Sequence, residues 1–289
     1  MRVESRPRVC LLTGATLGIG RAAAEALAPM GMELVLVARD PARLEALAAD
    51  LQQRAPGAKV GVLAGDLSRV SEVRRIAREF RATHDRLHVL LNNAGALFAR
   101  RELTPDGLER TLALNHLAYF VLTEELLPLL KSSAPARIVN VSSDAHLRMR
   151  IDFEDLMSAR GRYRPFSVYG RTKLMNILFT RELARRLEGT GVTVNVMHPG
   201  FVSTGFGHNN PGLLGTLVKW GQALFARTPE HGARTLVYLA TSPEVEGVTG
   251  KYFFDERERR TSPEAQDMEV ARRLWEVSVR LAGPAAAAA

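Results

Sequence analysis

The sequence predicts an α/β protein: a single-domain, doubly wound, seven-stranded and mainly parallel sheet with helices on both faces. Two observations carry this reading. Short β-branched runs alternate with longer stretches whose apolar residues recur at helical spacing, and the first run passes straight into a glycine-rich turn and an alanine-rich helix. Strand, helix and strand in repetition require crossover connections, which make a parallel sheet covered on both sides. At 289 residues the whole chain, 1–289, can fold around one large core.

Six buried strands follow in order. They are Val9 to Leu12, Glu33 to Val37, Val60 to Leu63, Leu87 to Leu91, Arg137 to Val141 and Val192 to Val196, near-continuous apolar runs of the kind a sheet buried on both faces needs. Between them, Pro41 to Ala55 and Ser68 to Thr83 read as helices, with Pro41 suited to a first helical turn. A seventh strand, Lys251 to Phe254, closes one edge, and a helix from Pro263 to Leu281 follows. The Pro-Ala tail, 283–289, is expected to fray.

The first strand enters Thr13-Gly14-Ala15-Thr16-Leu17-Gly18-Ile19-Gly20. In a strand-turn-helix of a Rossmann fold, such glycines allow the tight turn and let the backbone approach a pyrophosphate, which then meets the helix N-terminus. The spacing here is Gly-x-x-x-Gly-x-Gly, and a glycine-rich turn by itself is often only a turn. At the end of the second strand stands Ala38-Arg39-Asp40, where a carboxylate would bind the adenosine ribose of NAD. Arg39 instead suits the 2′-phosphate of NADP(H), with Arg43 as a second contact. Asp40 opposes that reading unless it caps the helix that starts at Pro41, which is the preferred account.

A helix beginning near Ser167 carries Tyr169-Gly170-Arg171-Thr172-Lys173. Residues four apart share a face, so the Tyr169 phenol and Lys173 ammonium can enter one cleft, where a cation would favour the phenolate. The preceding strand ends in Val141-Ser142-Ser143. Neighbours on a strand point to opposite faces, so only one of the two serines can serve that cleft.

Taken in order, Thr13-Gly14 through Gly20, Asp66-Leu67, Asn92-Asn93-Ala94-Gly95, Asn115, Ser143, Tyr169, Lys173 and Pro199-Gly200 resemble the short-chain dehydrogenase/reductase family over nearly the whole chain. Val141 to His146 and Tyr169 to Thr204 resemble its retinol dehydrogenase-like branch. The resemblance implies an NADP(H)-dependent oxidoreductase interconverting an alcohol and an aldehyde or ketone. Tyr169 would be acid and base, Lys173 would hold the nicotinamide ribose and tune Tyr169, and Ser143 would bind the substrate oxygen. Asn115 would position a water behind Lys173, against the alternative of a polar residue on a partly exposed helix face. His116, its neighbour, reads as structural. By position, Gly14, Thr16, Leu17, Gly18, Ile19 and Gly20 would hold the pyrophosphate side of the cofactor. Asp66 and Leu67 would lie near the adenine, and Asn93, Ala94 and Gly95 beside its ribose. Pro199, Gly200, Val202 and Thr204 would surround the carboxamide. Asp66 also reads as a cap of the next helix.

Substrate choice is less legible. Phe153, Tyr163 and Phe166 lie between the serine and the tyrosine among Arg148, Arg150, Arg160, Arg162 and Arg164, and are expected in the cleft wall, with most of the arginines solvated. Residues 205–227, with Phe206, Leu213, Leu217, Trp220 and Phe225, suit either a lid or a helix packed on the domain. An apolar substrate is the expectation.

The formal net charge is +8, but arginines mix with acids, as in Arg74-Arg75 near Glu72 and Glu79, and no zinc-finger spacing or basic run argues for nucleic acid. No metal-ligand set stands out. The only cysteine, Cys10, lies in an apolar run and cannot form an internal disulfide. The branch often has an N-terminal membrane anchor; no run approaches the length of a span here, so a soluble, cytoplasmic protein is expected. Expected partners are a small carbonyl or alcohol, with a homodimer as the open oligomeric option. A catalytically silent NADP sensor on the same fold is the alternative, and a sugar-nucleotide epimerase or dehydratase a third. The first is disfavoured by a complete Ser143, Tyr169 and Lys173 set, the second by the short stretch after Gly200.

Overall fold

The computed structural model describes residues 7–200, 202 and 227–283. The apolar runs form β1 (Val9–Thr13), β2 (Glu33–Ala38), β3 (Val60–Ala64), β4 (Val89–Asn92), β5 (Ala136–Val141), β6 (Val192–Met197) and β7 (Tyr252–Phe254). These are parallel neighbours in the order β3-β2-β1-β4-β5-β6-β7. The direction of strand succession reverses between β1 and β4, and the crevice beyond the carboxyl ends at such a switch point is where doubly wound sheets take ligands.

One strand exceeds the expected seven. β8 (Arg257–Glu258) adds antiparallel to β7, pairing Phe254 with Arg257 and Phe253 with Glu258. Its turn holds Asp255 and Glu256 at positive φ, 49° and 61°, the twist that a tight hairpin requires. Both residues of β8 are exposed, so no apolar alternation announces it.

Successive residues of β1 face opposite cores. Cys10 and Leu12 pack under α1 (Gly18–Leu27), α2 (Pro41–Arg54) and α7 (Pro229–Thr241), whereas Val9 and Leu11 pack under α3 (Val70–Thr83), α5 (Ala118–Ser132), α6 (Pro165–Arg186) and α8 (Met268–Ala282). Two buried faces explain the unbroken apolar runs. Each fully buried leucine there contributes roughly 1.5–3 kcal/mol. Burial pushes the Cys10 thiol up to about 12, which leaves it without thiolate reactivity.

Local chemistry sets the helix ends. Asp40 caps α2, accepting from the Arg43 backbone N–H at 3.1 Å, with Pro41 in the first turn. Asp66 does not cap α3: its Oδ1 accepts from the Ser68 N–H and hydroxyl at 3.0 and 2.8 Å. Asp106 takes the Val70 N–H at 2.8 Å instead. The local Asp66 turn satisfies its carboxylate before the helix begins, so α3 starts at Val70, not Ser68. The last predicted helix is divided, with a 3-10 turn at Pro263–Gln266 before α8, capped by Asp267.

Buried Glu109 caps the short α4 (Arg110–Leu112) and also accepts the Tyr163 hydroxyl at 3.0 Å. This ties the long stretch before α6 to the core. A π-turn, Ala113–Leu117, then leads into α5. α6 starts at Pro165, two residues before the expected Ser167, and lies between the sheet and α8. Trp275 of α8 stacks on Phe179 of α6 at 5.8 Å and meets Phe120 of α5 edge-on at 5.0 Å. The Arg186 guanidinium lies 4.1 Å from the Trp275 ring centroid, a cation–π contact. Among the described residues no helix is long and apolar enough to cross a membrane.

Candidate active site

Where β1 ends, the Thr13 hydroxyl oxygen accepts the N–H groups of Asn93 and Ala94 at 2.9 and 3.1 Å, and the Asn93 amide donates to the Thr13 carbonyl at 2.8 Å. These bonds press the glycine turn against the loop after β4. Gly14 takes φ +69°, and a Cβ on Gly20 would stand 2.1 Å from the Gly14 carbonyl oxygen, so no other residue fits that turn without moving backbone. Leu17, the residue before α1, supplies no side-chain cap. The first-turn N–H groups of α1 therefore remain available to a ligand.

Beyond the turn lies a cavity of about 570 Å³. Gly14, Thr16, Leu17, Gly18, Ile19 and Gly20 line one side, and Arg39 and Arg43 stand at the end of β2. Arg43 is engaged by Asp40, Nε to Oδ2 3.2 Å. Arg39 is the guanidinium at the rim without such an ion pair among the described residues. Leu67, then Asn93, Ala94 and Gly95, and finally Pro199, Gly200 and Val202 complete the predicted cofactor positions that border the cavity. Asp66 does not border it. Its carboxylate is turned into the Ser68 bonds, and its neighbours Gly65 and Leu67 line the wall instead. Thr204, and the predicted lid apart from Arg227, lie outside the described residues.

Tyr169 and Lys173, one turn apart on α6, both reach the other end, with Ser143 opposite them at the tip of β5. Ser143 and the Tyr169 phenol share a hydrogen bond. Ser142, 1% exposed, donates to the Lys173 carbonyl at 2.8 Å. Both serines border the cavity, but the Ser142 hydroxyl is spent on the Lys173 carbonyl and ties β5 to α6, whereas the Ser143 hydroxyl meets the Tyr169 phenol. Gly170 makes the close approach possible, since a Cβ there would lie 2.4 Å from the Ala145 carbonyl oxygen.

The electrostatics depart from the simple expectation that the ammonium lowers the phenol. Burial pushes the Tyr169 phenol well above its ordinary value, opposed by the Ser143 hydrogen bond, while burial lowers Lys173 to about 7. Each group loses water more than it gains from the other, so the phenol is neutral at cellular pH. Lys173 donates to the Val141 carbonyl at 3.1 Å and lies 5.5 Å from the Tyr169 ring centre.

Asn115 occupies the π-turn and is fully buried, not partly exposed. Its amide donates to the Ala96 carbonyl at 2.9 Å and the Thr172 hydroxyl at 3.1 Å, and its Oδ1 accepts the Ala96 N–H at 2.9 Å. A π-turn shifts the helix by one residue and turns this side chain inward. His116 is structural, its Nε2 2.8 Å from the Ser278 hydroxyl.

Of the three aromatics expected in the cleft wall, Phe166 borders the cavity. Phe153 lies under Arg273 at 4.2 Å, and Tyr163 is held by Glu109 and Thr111. Arg148, Arg150, Arg160, Arg162 and Arg164 are exposed and none borders the cavity. Sequence reasoning missed Asp144, which lines the cavity directly after Ser143, and its contact with His198, Nδ1 to Oδ1 3.3 Å. Adjacency to Ser143 was the signal for Asp144. His198 had none, since pairing of Val141 with Met197 brings the two strand ends together.

A cavity at the switch point of a doubly wound sheet, with a glycine turn and an uncapped helix start at one end and a serine, phenol and buried amine at the other, is the architecture of a nicotinamide-dependent oxidoreductase. The chain belongs to the short chain dehydrogenase family, whose model matches residues 8–211, and within it is retinol dehydrogenase-like. Retinol dehydrogenase 14 of Mus musculus is 46% identical over 291 residues, covering 96% of this chain and 86% of that protein. A crystal structure of an uncharacterized protein from Mycobacterium paratuberculosis superposes with a TM-score of 0.76 at 32% identity, over 95% of this chain and 93% of that one. A short-chain dehydrogenase from Sphingobium yanoikuyae, solved with NADPH, gives 0.65 at 28% identity over 80% and 82%. The protein is an oxidoreductase acting on small alcohols or carbonyl compounds.

Proposed function

We propose that the protein interconverts an apolar alcohol and its aldehyde or ketone with NADP(H), using Tyr169 as acid and base. The observation that carries this is the Tyr169 phenol, hydrogen-bonded to Ser143 with Lys173 beside it, opening on the cavity. The glycine turn and the free first-turn N–H groups of α1 fit a pyrophosphate, and Arg39 fits a 2′-phosphate. The bound nicotinamide supplies or accepts the hydride. In reduction the Ser143 hydroxyl holds the carbonyl oxygen and the neutral Tyr169 phenol gives it a proton, so the oxygen leaves as a hydroxyl. The Lys173 ammonium beside it stabilises the phenolate left behind until a proton from solvent restores the phenol. In oxidation the same atoms run in reverse, with Tyr169 taking the proton of the substrate hydroxyl as base. Support for NADP(H) is Arg39 together with the NADPH complex of the Sphingobium enzyme, and support for an apolar substrate is the name of the mouse relative. Asn115 acts as a positioning residue, holding the loop at Ala96 that carries Gly95 against Lys173.

The test is turnover followed at the reduced nicotinamide absorbance across aldehydes and ketones, wild type against Tyr169→Phe. The variant is expected to lose at least ~100-fold in kcat while binding NADPH as before, the typical contribution of a positioned acid. Near-normal turnover by Tyr169→Phe would refute the role. A silent sensor has no specific observation in its favour, because the serine, phenol and amine are all present.

A further inference from the structure

We propose that Asp144 selects substrates by charge: held by His198 beside Ser143, its carboxylate excludes carbonyl compounds that carry an anionic group next to the reacting carbon and admits neutral ones. This rests on the reading above, that the carbonyl binds between Ser143 and Tyr169. Asp144 follows Ser143 directly, borders the cavity and leaves 58% of its side chain exposed. An oxygen held between Ser143 and Tyr169 lies in the field of the Asp144 carboxylate, which borders the same cavity and already acts on the Tyr169 phenol.

The carboxylate is ionised and faces a ring held in place. His198 Nδ1 lies 3.3 Å from Asp144 Oδ1, and the His198 ring is itself immobilised by stacking on Phe254 at 4.2 Å and Tyr252 at 5.5 Å. The His198 hydrogen bond holds the Asp144 carboxyl below the usual range, and its charge adds to the burial that raises Tyr169. A negative potential thus already bears on the reacting end of the cleft.

Among the described residues, Lys173 is the one lysine or arginine that borders the cavity at that end, and Arg227, packed beside Gly200, is engaged by Asp255. Lys173 is 2% exposed and its Nζ is turned to the Val141 carbonyl. Arg39 and Arg43 stand at the end of β2, three strand spacings from β5 in the order β2-β1-β4-β5. That is roughly 14 Å, beyond a Debye length at physiological salt. The arginines between Ser143 and Tyr169 do not border the cavity, and Arg150 is directed to Glu264 at 3.7 Å. One end of the cleft therefore attracts phosphate and the other repels carboxylate.

The experiment compares isosteric ketones differing in charge beside the carbonyl, 1-phenylpropane-1,2-dione and phenylglyoxylate, by kcat/KM with NADPH. In parallel, octanamide and octanoate binding to the protein saturated with NADP is measured by calorimetry. Wild type is expected to favour the neutral member of each pair at least about tenfold, since like charges brought together at a binding site are strongly disfavoured. Asp144→Asn should bring both ratios near unity, and Asp144→Glu, which restores the charge, should bring the preference back. Ratios unchanged in Asp144→Asn, octanoate bound as well as octanamide by wild type, or no octanamide binding at all would overturn the proposal. If binding follows the expected pattern while no ketone or aldehyde is turned over, the charge rule stands and the proposed activity falls.

Discussion

Replacing Lys173 by methionine separates what this residue does for the reaction from what it does to the fold. The lysine is 2% exposed and burial lowers it from 10.5 to about 7. At roughly 1.4 kcal/mol for each pH unit, that fall caps the cost of the buried ammonium at about 5 kcal/mol. Methionine fills nearly the same space without charge, and the Val141 carbonyl keeps a donor, the Asn176 amide at 3.2 Å. Nothing is orphaned, so Lys173→Met should stabilise the cofactor-free protein while abolishing turnover. Between pH 7 and 10.5 the unfolded chain binds a proton that the folded one does not, so this residue's contribution to wild-type stability rises with pH across that window. Below pH 7 lysine is charged in both states and the full cost applies. The advantage of Lys173→Met is therefore greatest at pH 6, several kcal/mol, and shrinks steadily toward pH 10. Urea unfolding of both proteins at pH 6, 8 and 9.5 checks it, because other titrations cancel in the difference. A variant no more stable than wild type at pH 6, or a difference independent of pH, would refute the reasoning.

Three other outcomes are expected. Titration of both cofactors should show NADPH bound at least tenfold more tightly than NADH, about 1.4 kcal/mol, and Arg39→Asp should reverse the preference by removing the phosphate contact and adding repulsion. In Gly170→Ala the new methyl would meet the Ala145 carbonyl oxygen at 2.4 Å; the backbone must yield, so a melting curve should show a loss of about 1–3 kcal/mol, with a kcat loss from the displaced Ser143 turn. For straight-chain aldehydes, kcat/KM should climb by up to about fourfold per methylene, the equivalent of ~0.8 kcal/mol, until the pocket is full. A flat series would count against an apolar pocket.

The sheet was legible because its strands are buried on both sides, which leaves an uninterrupted apolar run bounded by polar turns. β2 and β6 begin at the expected residue, and β5 ends at it. Elements without that signature stayed hidden. β8 is two exposed residues held by a turn, and the π-turn at Asn115 is a one-residue slip in a helix whose composition does not change. At the site, Tyr169 and Lys173 could be paired by helical spacing alone, and alternation on β5 said that one serine must turn away without saying which. Asp144 and His198 meet only through the register of β5 on β6, a long-range fact that no local pattern carries. The opposing burial shifts of Tyr169 and Lys173 were likewise invisible, since depth in the fold, not proximity in the chain, decides them.

The position of α6 between the sheet and α8 bears on how this protein can vary. Every residue from Thr172 to Thr180 is buried, so no side of that stretch is left to drift freely in water. A helix buried on all sides lacks the exposed stripe by which its facing is usually read, and it also lacks the neutral positions where substitutions accumulate without effect. Random mutagenesis of this segment would find few silent changes, and those that alter Phe179 or Leu183 would be transmitted along a rigid rod to Tyr169 and Lys173. The outer helix α8, remote from the chemistry, thereby narrows the range of sequences in which the catalytic end can be kept in register.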